Sequence, residues 1–209
     1  MKLYDHPASG NCMKARIALR QLELPYEAVT VDLFARETRT PEHMARNPDG
    51  RVPVLELDTG ETIPESGAIL LYLAEGTRLL PDDRLARARV HQWMFFEQNQ
   101  IESLIAVARF IVLTGRAQRA SQILESLRAR GRGALAALAR GLADERPFVC
   151  GDDYTVADIA LYAYVHCAGD AGIDPREHAM IGGWLERVEA TPGFVNDLAP
   201  FPPHARVDA

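Results

Sequence analysis

Residues 47–73, which read NPDGRVPVLELDTGETIPESGAILLYL, decide the fold of the first part of this chain. Residues 54–57 have the composition of a short strand, and residues 58–60 supply the Asp-Thr-Gly turn chemistry that reverses the chain. Pro53 opens that strand, and the bond before it is of the X-Pro kind, in which the cis form costs little. An apolar run of helical character follows Ser66, which we predict to be the N-cap of a helix.

This order of elements predicts a site for a small anionic peptide. A cis bond between Val52 and Pro53 would turn the N–H and C=O of Val52 outward, where they can pair with an extended peptide. The N-terminus of the helix at Ser66 would offer N–H groups to a carboxylate. Pro53 alone is more often an edge-strand proline and Ser66 alone a helix cap, so the prediction depends on their order along the chain.

The N-terminal residues predict a strand, a helix and a second strand. Residues 2–4 are a strand candidate, residues 7–10 break it, and a helix with one apolar face follows. Residues 27–33 alternate between apolar and polar side chains, which indicates the second strand. Together with the hairpin and helix of residues 54–73, this is the thioredoxin-like arrangement. Where that fold places a Cys-x-x-Cys pair, this chain reads Ser9-Gly10-Asn11-Cys12.

The chain resembles the cytosolic glutathione transferases, and Ser9 matches the serine of their bacterial serine-type classes (theta-, delta- and nu-like). The resemblance covers the whole chain and concentrates in residues 7–16, 47–73 and 151–161. It implies that Val52 and Pro53 hold the cysteinyl backbone of glutathione. It also implies that Glu65 and Ser66 hold the γ-glutamyl end.

The chain departs from the family pattern at two glycines. Gly50 and Gly67 stand where several serine-type relatives have a histidine and an arginine that touch glutathione. Arg39 and Arg51 are our candidates to replace those charges. Asn99 is our candidate to reach a glutathione in the neighbouring subunit of the homodimer that the resemblance implies.

Ser9 selects the chemistry that we expect of the loop. A serine cannot form a mixed disulfide, but its O–H can donate to the thiolate of a bound glutathione. Lowering a thiol pKa of about 8.5 by about two units needs roughly 2.7 kcal/mol, which one charge-assisted hydrogen bond and a helix N-terminus can supply. Capping of the first helix is the competing role of Ser9. Asn11 is the second candidate beside the sulfur, and Cys12 is predicted to be a buried, inert thiol.

Composition narrows the classes of function. The formal charge of −6 argues against a general nucleic-acid role, and no apolar run approaches the length that spans a bilayer. Three scattered cysteines, at positions 12, 150 and 167, and a start without a signal-peptide core predict a cytoplasmic protein without disulfides. The histidines show no metal-ligand spacing, so we predict no metal.

The chain is predicted to fold as an α/β domain followed by an all-α domain. We place the thioredoxin-like domain at residues 1–76, a linker at 77–84 and an all-helical bundle at 85–209. Helices are predicted over residues 85–114 and 120–143. A third begins at Thr155 with a capping box to Asp158, both of which we predict to be structural.

The resemblance implies that a thiolate of glutathione attacks a small hydrophobic electrophile held against the helical domain. Our candidates for that wall are Ile105, Arg109 and Phe110, with Tyr162 beside them. Core packing competes as an explanation for Ile105 and Phe110. A salt bridge to Glu102 or to another helix competes as an explanation for Arg109.

Other activities fit the same site. A bound thiolate could serve a glutathione-dependent disulfide reductase or peroxidase, and a regulatory protein could bind glutathione without turnover. Glutathione-assisted isomerisation or dehalogenation would use the same thiolate. Isomerases of this fold often carry a Ser-Ser-Cys loop, which is absent here, so we rank this activity below the transferase.

Overall fold

The computed structural model describes residues 1–142 and 146–207 of the chain. The chain divides into two compact units. The first comprises residues 1–75 and 192–200, and the second comprises residues 76–191 and those from 201 onward. Ala143, the predicted end of the second long helix, lies outside the described residues.

The first unit is a four-stranded mixed sheet with three α-helices, and the thioredoxin-like prediction is confirmed. The strand order is β2-β1-β3-β4, in which β2 runs parallel to β1, while β3 and β4 form an antiparallel hairpin beside it. In chain order the elements are β1 (Lys2–Asp5), α1 (Gly10–Gln21), β2 (Glu27–Thr30), α2 (Pro41–Arg46), β3 (Val54–Glu56), β4 (Thr62–Pro64) and α3 (Ser66–Ala74).

A continuous apolar core holds the sheet against α1 and α3. Leu3 of β1 is paired with Leu55 of β3, and both side chains are fully buried. The two helices pack along each other and bury Ile17 and Leu70 completely. Burial of each such side chain contributes about 1.5–3 kcal/mol, so packing holds both helices in place in the unit.

The second strand is shorter than predicted. It ends at Thr30 instead of residue 33, because the Asp32 carboxylate accepts hydrogen bonds from the N–H groups of Phe34 (2.8 Å) and Ala35 (3.1 Å). This local bonding closes a turn in place of the sheet ladder. Val31 still donates to the Asp5 carbonyl at 2.8 Å, one bond beyond the strand.

Residues 192–200 follow the helices of the second unit but belong to the first, whereas the sequence prediction assigned them to the helical domain. Asp197 accepts from Arg16 at 2.9 Å and pairs with Arg20 at 3.2 Å, both on α1. Ala199 donates to the Pro7 carbonyl at 3.1 Å. These contacts tie the segment to α1 and to the loop before it.

The second unit is helical, as predicted. One uninterrupted helical run extends over residues 84–113, close to the predicted 85–114, but its middle is π-helical, which the sequence analysis did not predict. None of the helices in the described ranges is both long and apolar enough to cross a membrane. The elements are α4 (Arg84–Phe96), the π segment (Glu97–Ala106), α5 (Val107–Leu113), α6 (Ser121–Gly141), α7 (Val156–Val165) and α8 (Ala179–Glu189).

The predicted capping box at the start of α7 is present. Thr155 is the N-cap, and the fully buried Asp158 carboxylate accepts from the N–H groups of Thr155 and Val149, each at 3.0 Å. The indole N–H of Trp184 on α8 donates to it at 2.9 Å. Burial raises the pKa of this carboxyl to about 6, and the three donors partly offset that effect. Asp158 thus joins three segments of the unit.

Candidate functional site

The N-termini of α1 and α3 meet in the first unit. Asn11 is the second residue of α1 and Ser66 is the first residue of α3. The Ser66 hydroxyl donates to the Asn11 side-chain oxygen at 3.3 Å. The N-terminus of a helix carries about half a positive charge and presents unpaired N–H groups. Two such ends next to each other form a place where an anion is stabilised.

Ser9 caps α1 at this place. Its hydroxyl oxygen accepts from the N–H of Cys12 at 3.3 Å, so the capping role weighed from the sequence is present. The N–H of Ser9 donates to the His6 carbonyl at 2.9 Å, which closes the turn after β1. Accepting a hydrogen bond uses a lone pair of the hydroxyl, so its O–H remains able to donate to an anion.

Cys12 is buried, as predicted. Its side chain is fully inaccessible, and its sulfur accepts from the N–H of His6 at 3.4 Å. Burial, reinforced by the charge of Asp5, raises the pKa of the Cys12 thiol well above its usual range. A thiolate is the reactive form of cysteine, so Cys12 is not a nucleophile at neutral pH.

The N-cap of α3 is Glu65, and the prediction of Ser66 as the cap was wrong by one residue. Glu65 has φ 73° and ψ 115°, and its side chain makes no capping hydrogen bond. Its carbonyl accepts the first helical bond from Ile69 at 2.9 Å. A positive φ in a residue other than glycine costs of order 1–3 kcal/mol, and residues strained in this way cluster at active sites and ligand-binding positions. The exposed Glu65 is therefore held in an unfavourable conformation at the edge of the site.

The loop before β3 contains the cis bond between Val52 and Pro53, which the sequence analysis considered. One side chain of α2 and the side chain of its C-cap residue hold this loop. The Nε2 of His43 and the amide nitrogen of Asn47 both donate to the Arg51 carbonyl, at 2.9 Å and 3.1 Å.

His43 and Asn47 were not predicted as site residues, because no helix was predicted over residues 41–46. The available signal was Thr40-Pro41, since Thr40 accepts from the N–H of His43 at 3.3 Å and Pro41 occupies the first turn of α2.

The two arginines proposed as charge replacements both contact Asp49. Arg39 donates to the Asp49 carbonyl at 2.9 Å, and Arg51 pairs with its carboxylate at 2.6 Å. Gly50 lies at φ 62°, and a Cβ atom there would stand 2.5 Å from the Arg39 guanidinium and 2.8 Å from the Thr38 carbonyl. The histidine that several serine-type relatives have at this position would not fit this loop.

The candidates for the electrophile wall differ in exposure. Ile105 is fully buried, which favours core packing for this residue, whereas Phe110 is 41% exposed and lies edge-on to Phe201 with ring centroids 6.1 Å apart. Tyr162 is fully buried and donates its hydroxyl proton to Glu189 at 2.9 Å, so it does not line an open surface of the unit.

Arg109 forms a salt bridge, which was the competing explanation for this residue in the sequence analysis. Its side chain is 5% exposed and binds the Asp170 carboxylate at 2.8 Å, and its guanidinium lies 5.1 Å from the Phe201 ring centroid. Asn99 lies in the π segment on the surface of the second unit, where its side chain accepts from Gln100. Its predicted contact with a neighbouring subunit stays a prediction.

Within residues 1–142 and 146–207, no group of three or more His, Cys, Asp or Glu side chains is arranged to hold a metal ion. The donors gathered around Asn11 and Ser66 are hydroxyl, amide and backbone N–H groups. Their chemistry suits the carboxylate and thiolate of a peptide.

Known proteins share both units of this chain. The family model described as the glutathione S-transferase N-terminal domain matches residues 1–75, and that of the C-terminal domain matches residues 116–171. Maleylacetoacetate isomerase of Rhizobium meliloti (strain 1021) is 37% identical over 183 residues, 82% of this chain and 83% of the isomerase. Disulfide-bond oxidoreductase YfcG of Escherichia coli (strain K12) is 28% identical over 197 residues, 91% of this chain and 90% of that protein.

Solved structures share the fold along nearly the whole chain. A glutathione S-transferase from Pseudomonas fluorescens Pf-5 superposes with a TM-score of 0.92 and 42% identity, covering 95% of this chain and 98% of that chain. A glutathione transferase from Burkholderia graminis, with two glutathione molecules bound per subunit, superposes with a TM-score of 0.81 and 28% identity. That match covers 92% of this chain and 84% of the other. The two matching domains and the 37% identity across most of both proteins show that this chain belongs to the glutathione S-transferase family.

Proposed function

We propose that this protein is a glutathione transferase in which Ser9 stabilises the thiolate of glutathione for attack on a small hydrophobic electrophile. The observation that carries the proposal is the meeting of the N-termini of α1 and α3, where Ser66 and Asn11 are hydrogen-bonded beside the capping residue Ser9. This arrangement favours negative charge, and glutathione carries a thiol and two carboxylates. Family membership supports the same ligand.

Each end of glutathione has a complementary group in the first unit. The N–H groups at the start of α3 suit the γ-glutamyl carboxylate, and the exposed Glu65 carboxylate suits the ammonium group beside it. The backbone of Val52 suits the cysteinyl residue in the middle. Arg39 and Arg51 would add positive charge near the loop, although both already contact Asp49.

Ser9 and α1 supply the activation. The Ser9 O–H donates to the sulfur anion, and the N-terminus of α1 adds its partial positive charge, while the thiol proton leaves to solvent. Together they supply the roughly 2.7 kcal/mol that lowers a thiol pKa by about two units. The sulfur then forms a bond to the electrophilic carbon, and the leaving group departs with the electron pair of the bond that breaks.

We propose that residues of the helical unit bind the electrophile. Phe110 is the member of the predicted wall with exposed apolar area, and Arg116 lies over its ring at 5.1 Å. A flat apolar ring flanked by a guanidinium suits an aromatic or unsaturated electrophile that carries negative charge. Family membership also supports a homodimer in the cytoplasm, with Asn99 at the partner's glutathione.

The test is turnover with an activated aryl halide and glutathione, for the wild-type protein, Ser9→Ala and Ser9→Thr. Ser9→Ala should lose at least about tenfold in kcat, whereas Ser9→Thr keeps a hydroxyl donor and a helix cap and should retain most of it. Equal turnover in Ser9→Ala would move the assignment to Asn11.

Isomerisation is the second candidate, and the 37% identity to maleylacetoacetate isomerase favours it. In this reaction the same thiolate would add to an unsaturated bond and leave again after rotation. Measuring aryl transfer, isomerisation of an unsaturated dicarboxylate and reduction of a glutathione-mixed disulfide in parallel separates the three activities. Glutathione binding without any of them would indicate a regulatory protein.

A further inference from the structure

We propose that His43 and Asn47 are positioning residues that fix the direction of the Val52 N–H toward glutathione. The inference rests on the proposed function, since it concerns how the same site binds its peptide. His43 lies on α2 and Asn47 is the residue that ends this helix, and each is only 3% exposed. Their side chains converge on a single atom, the carbonyl oxygen of Arg51.

Holding that oxygen also fixes the next N–H group. The Arg51 carbonyl and the Val52 N–H belong to one planar peptide unit, and in a trans peptide they point in opposite directions. His43 and Asn47 donate at one edge of this planar unit, so the Val52 N–H points away from the opposite edge. In the described part of the chain no residue accepts a hydrogen bond from that N–H.

The hydrogen-bonding chemistry determines the tautomer of His43 and the amide orientation of Asn47. A carbonyl can only accept, so Nε2 of His43 carries the proton in this contact. The amide oxygen of Asn47 accepts from the N–H of Asp49 at 3.0 Å, while its nitrogen donates to Arg51. Rotating the amide by 180° would place oxygen against oxygen and nitrogen against N–H, so the orientation of Asn47 is determined.

Helix α2, which carries His43 and ends at Asn47, is itself attached to the sheet. The His43 ring lies edge-on to the Tyr4 ring of β1, with centroids 6.3 Å apart. The Arg46 guanidinium lies over the Tyr4 ring, 4.4 Å from its centroid. Thr62 of β4 donates to the Arg46 carbonyl at 3.1 Å. These contacts hold the Arg51 carbonyl in a defined position relative to the strands of the sheet.

The experiment compares four variants by calorimetric titration with glutathione and by steady-state kinetics. Asn47→Asp keeps the acceptor for Asp49 but replaces the donor to Arg51 with an oxygen. His43→Phe keeps an aromatic ring against Tyr4 but removes the N–H. His43→Gln retains a donor, and Thr62→Val is the matched control, since it removes one hydrogen bond between α2 and the sheet without touching the Arg51 carbonyl.

Asn47→Asp and His43→Phe should each raise the Kd and the KM for glutathione at least about tenfold, with kcat at saturating glutathione within about twofold of wild type. His43→Gln and Thr62→Val should stay within about threefold of the wild-type Kd. If His43 and Asn47 had only a structural role, their substitution would lower the melting temperature without raising KM while leaving kcat unchanged.

Wild-type glutathione affinity in folded Asn47→Asp and His43→Phe would overturn the inference. An equal loss of glutathione affinity in Thr62→Val would overturn it too. If neither Asn47→Asp nor His43→Phe folds, the hydrogen bonds to Arg51 serve the stability of the fold, and the inference is overturned as well. Absence of glutathione binding by the wild-type protein would instead reject the proposed function.

Discussion

The Ser66 hydroxyl and the Asn11 side-chain oxygen, 55 residues apart in sequence, are joined by a hydrogen bond of 3.3 Å. This bond links the first turn of α3 to the first turn of α1, and it unites two segments that the sequence analysis had identified separately. The end of α3 suits a carboxylate and the end of α1 suits a thiolate, so a ligand that carries both would span the two helices.

Asn11→Asp tests whether the meeting helix ends receive an anion. The new carboxylate can still accept from Ser66, and a negative charge in the first turn of α1 should stabilise the helix by about 0.3–1 kcal/mol. The same charge repels an anionic ligand, so glutathione affinity should fall more than about tenfold while the melting temperature holds or rises. Calorimetric titration and thermal unfolding measure both. Unchanged affinity would show that no anion binds between these helix ends.

Asp158→Asn should lower the free energy of unfolding by at least about 2 kcal/mol. The wild-type carboxylate accepts from the N–H groups of Val149, Thr155 and Trp184. An asparagine amide turns one of its two terminal atoms into a donor, which would face one of those N–H groups and leave it buried without an acceptor. Urea unfolding measures the loss. A variant as stable as wild type would mean that the three contacts contribute little.

These two examples show which parts of the fold are readable from sequence. The capping box at Thr155 and Asp158 and the proline before β3 are local patterns, because cap and turn chemistry acts over three or four residues. The contact of Ser66 with Asn11 and that of Asp197 with Arg16 depend on how distant segments pack, and no local pattern encodes them. The π-helical middle of the long helix likewise left no signal in the apolar spacing.

The missed helix α2 has a different cause. Its Thr40-Pro41 start signal was present, but the six-residue helix is too short to show an apolar period. His43 and Asn47 were therefore not considered as site residues. Glu65 was predicted as a ligand contact through the family resemblance, while its positive φ became visible only in the structure.

The cysteines should react slowly with iodoacetamide at neutral pH. Burial raises the pKa of Cys150 and of Cys167 to about 11, and that of Cys12 is raised by burial as well. Because thiolate is the reactive form, labelling at pH 7.5 should be at least about a hundredfold slower than that of free glutathione and should rise about tenfold per pH unit. Intact mass measures it, with urea-unfolded protein as the control. Rapid labelling of Cys12 with loss of turnover would contradict the assignment of Ser9.

Asp170→Ala should destabilise the protein more than Arg109→Met does. The Arg109 side chain is 5% exposed and that of Asp170 is 43% exposed. Removing the carboxylate takes an ion-pair partner away from a buried cation, at a cost of about 2–3 kcal/mol, whereas an Asp170 that loses Arg109 can be hydrated. Arg109→Met keeps most of the volume and should cost about 1–2 kcal/mol. Urea unfolding gives both values, and the reverse order would mean that Arg109 is not held mainly by Asp170.

The most direct test of Ser9 is the ionisation of bound glutathione. Thiolate absorbance in the ultraviolet would be followed across pH for wild-type protein and for Ser9→Ala, each saturated with glutathione. We predict a thiol pKa about two units below the free value of about 8.5 in the wild type, and a pKa close to the free value in Ser9→Ala. The same low pKa in both proteins, or the free value in both, would contradict activation of the thiolate by Ser9.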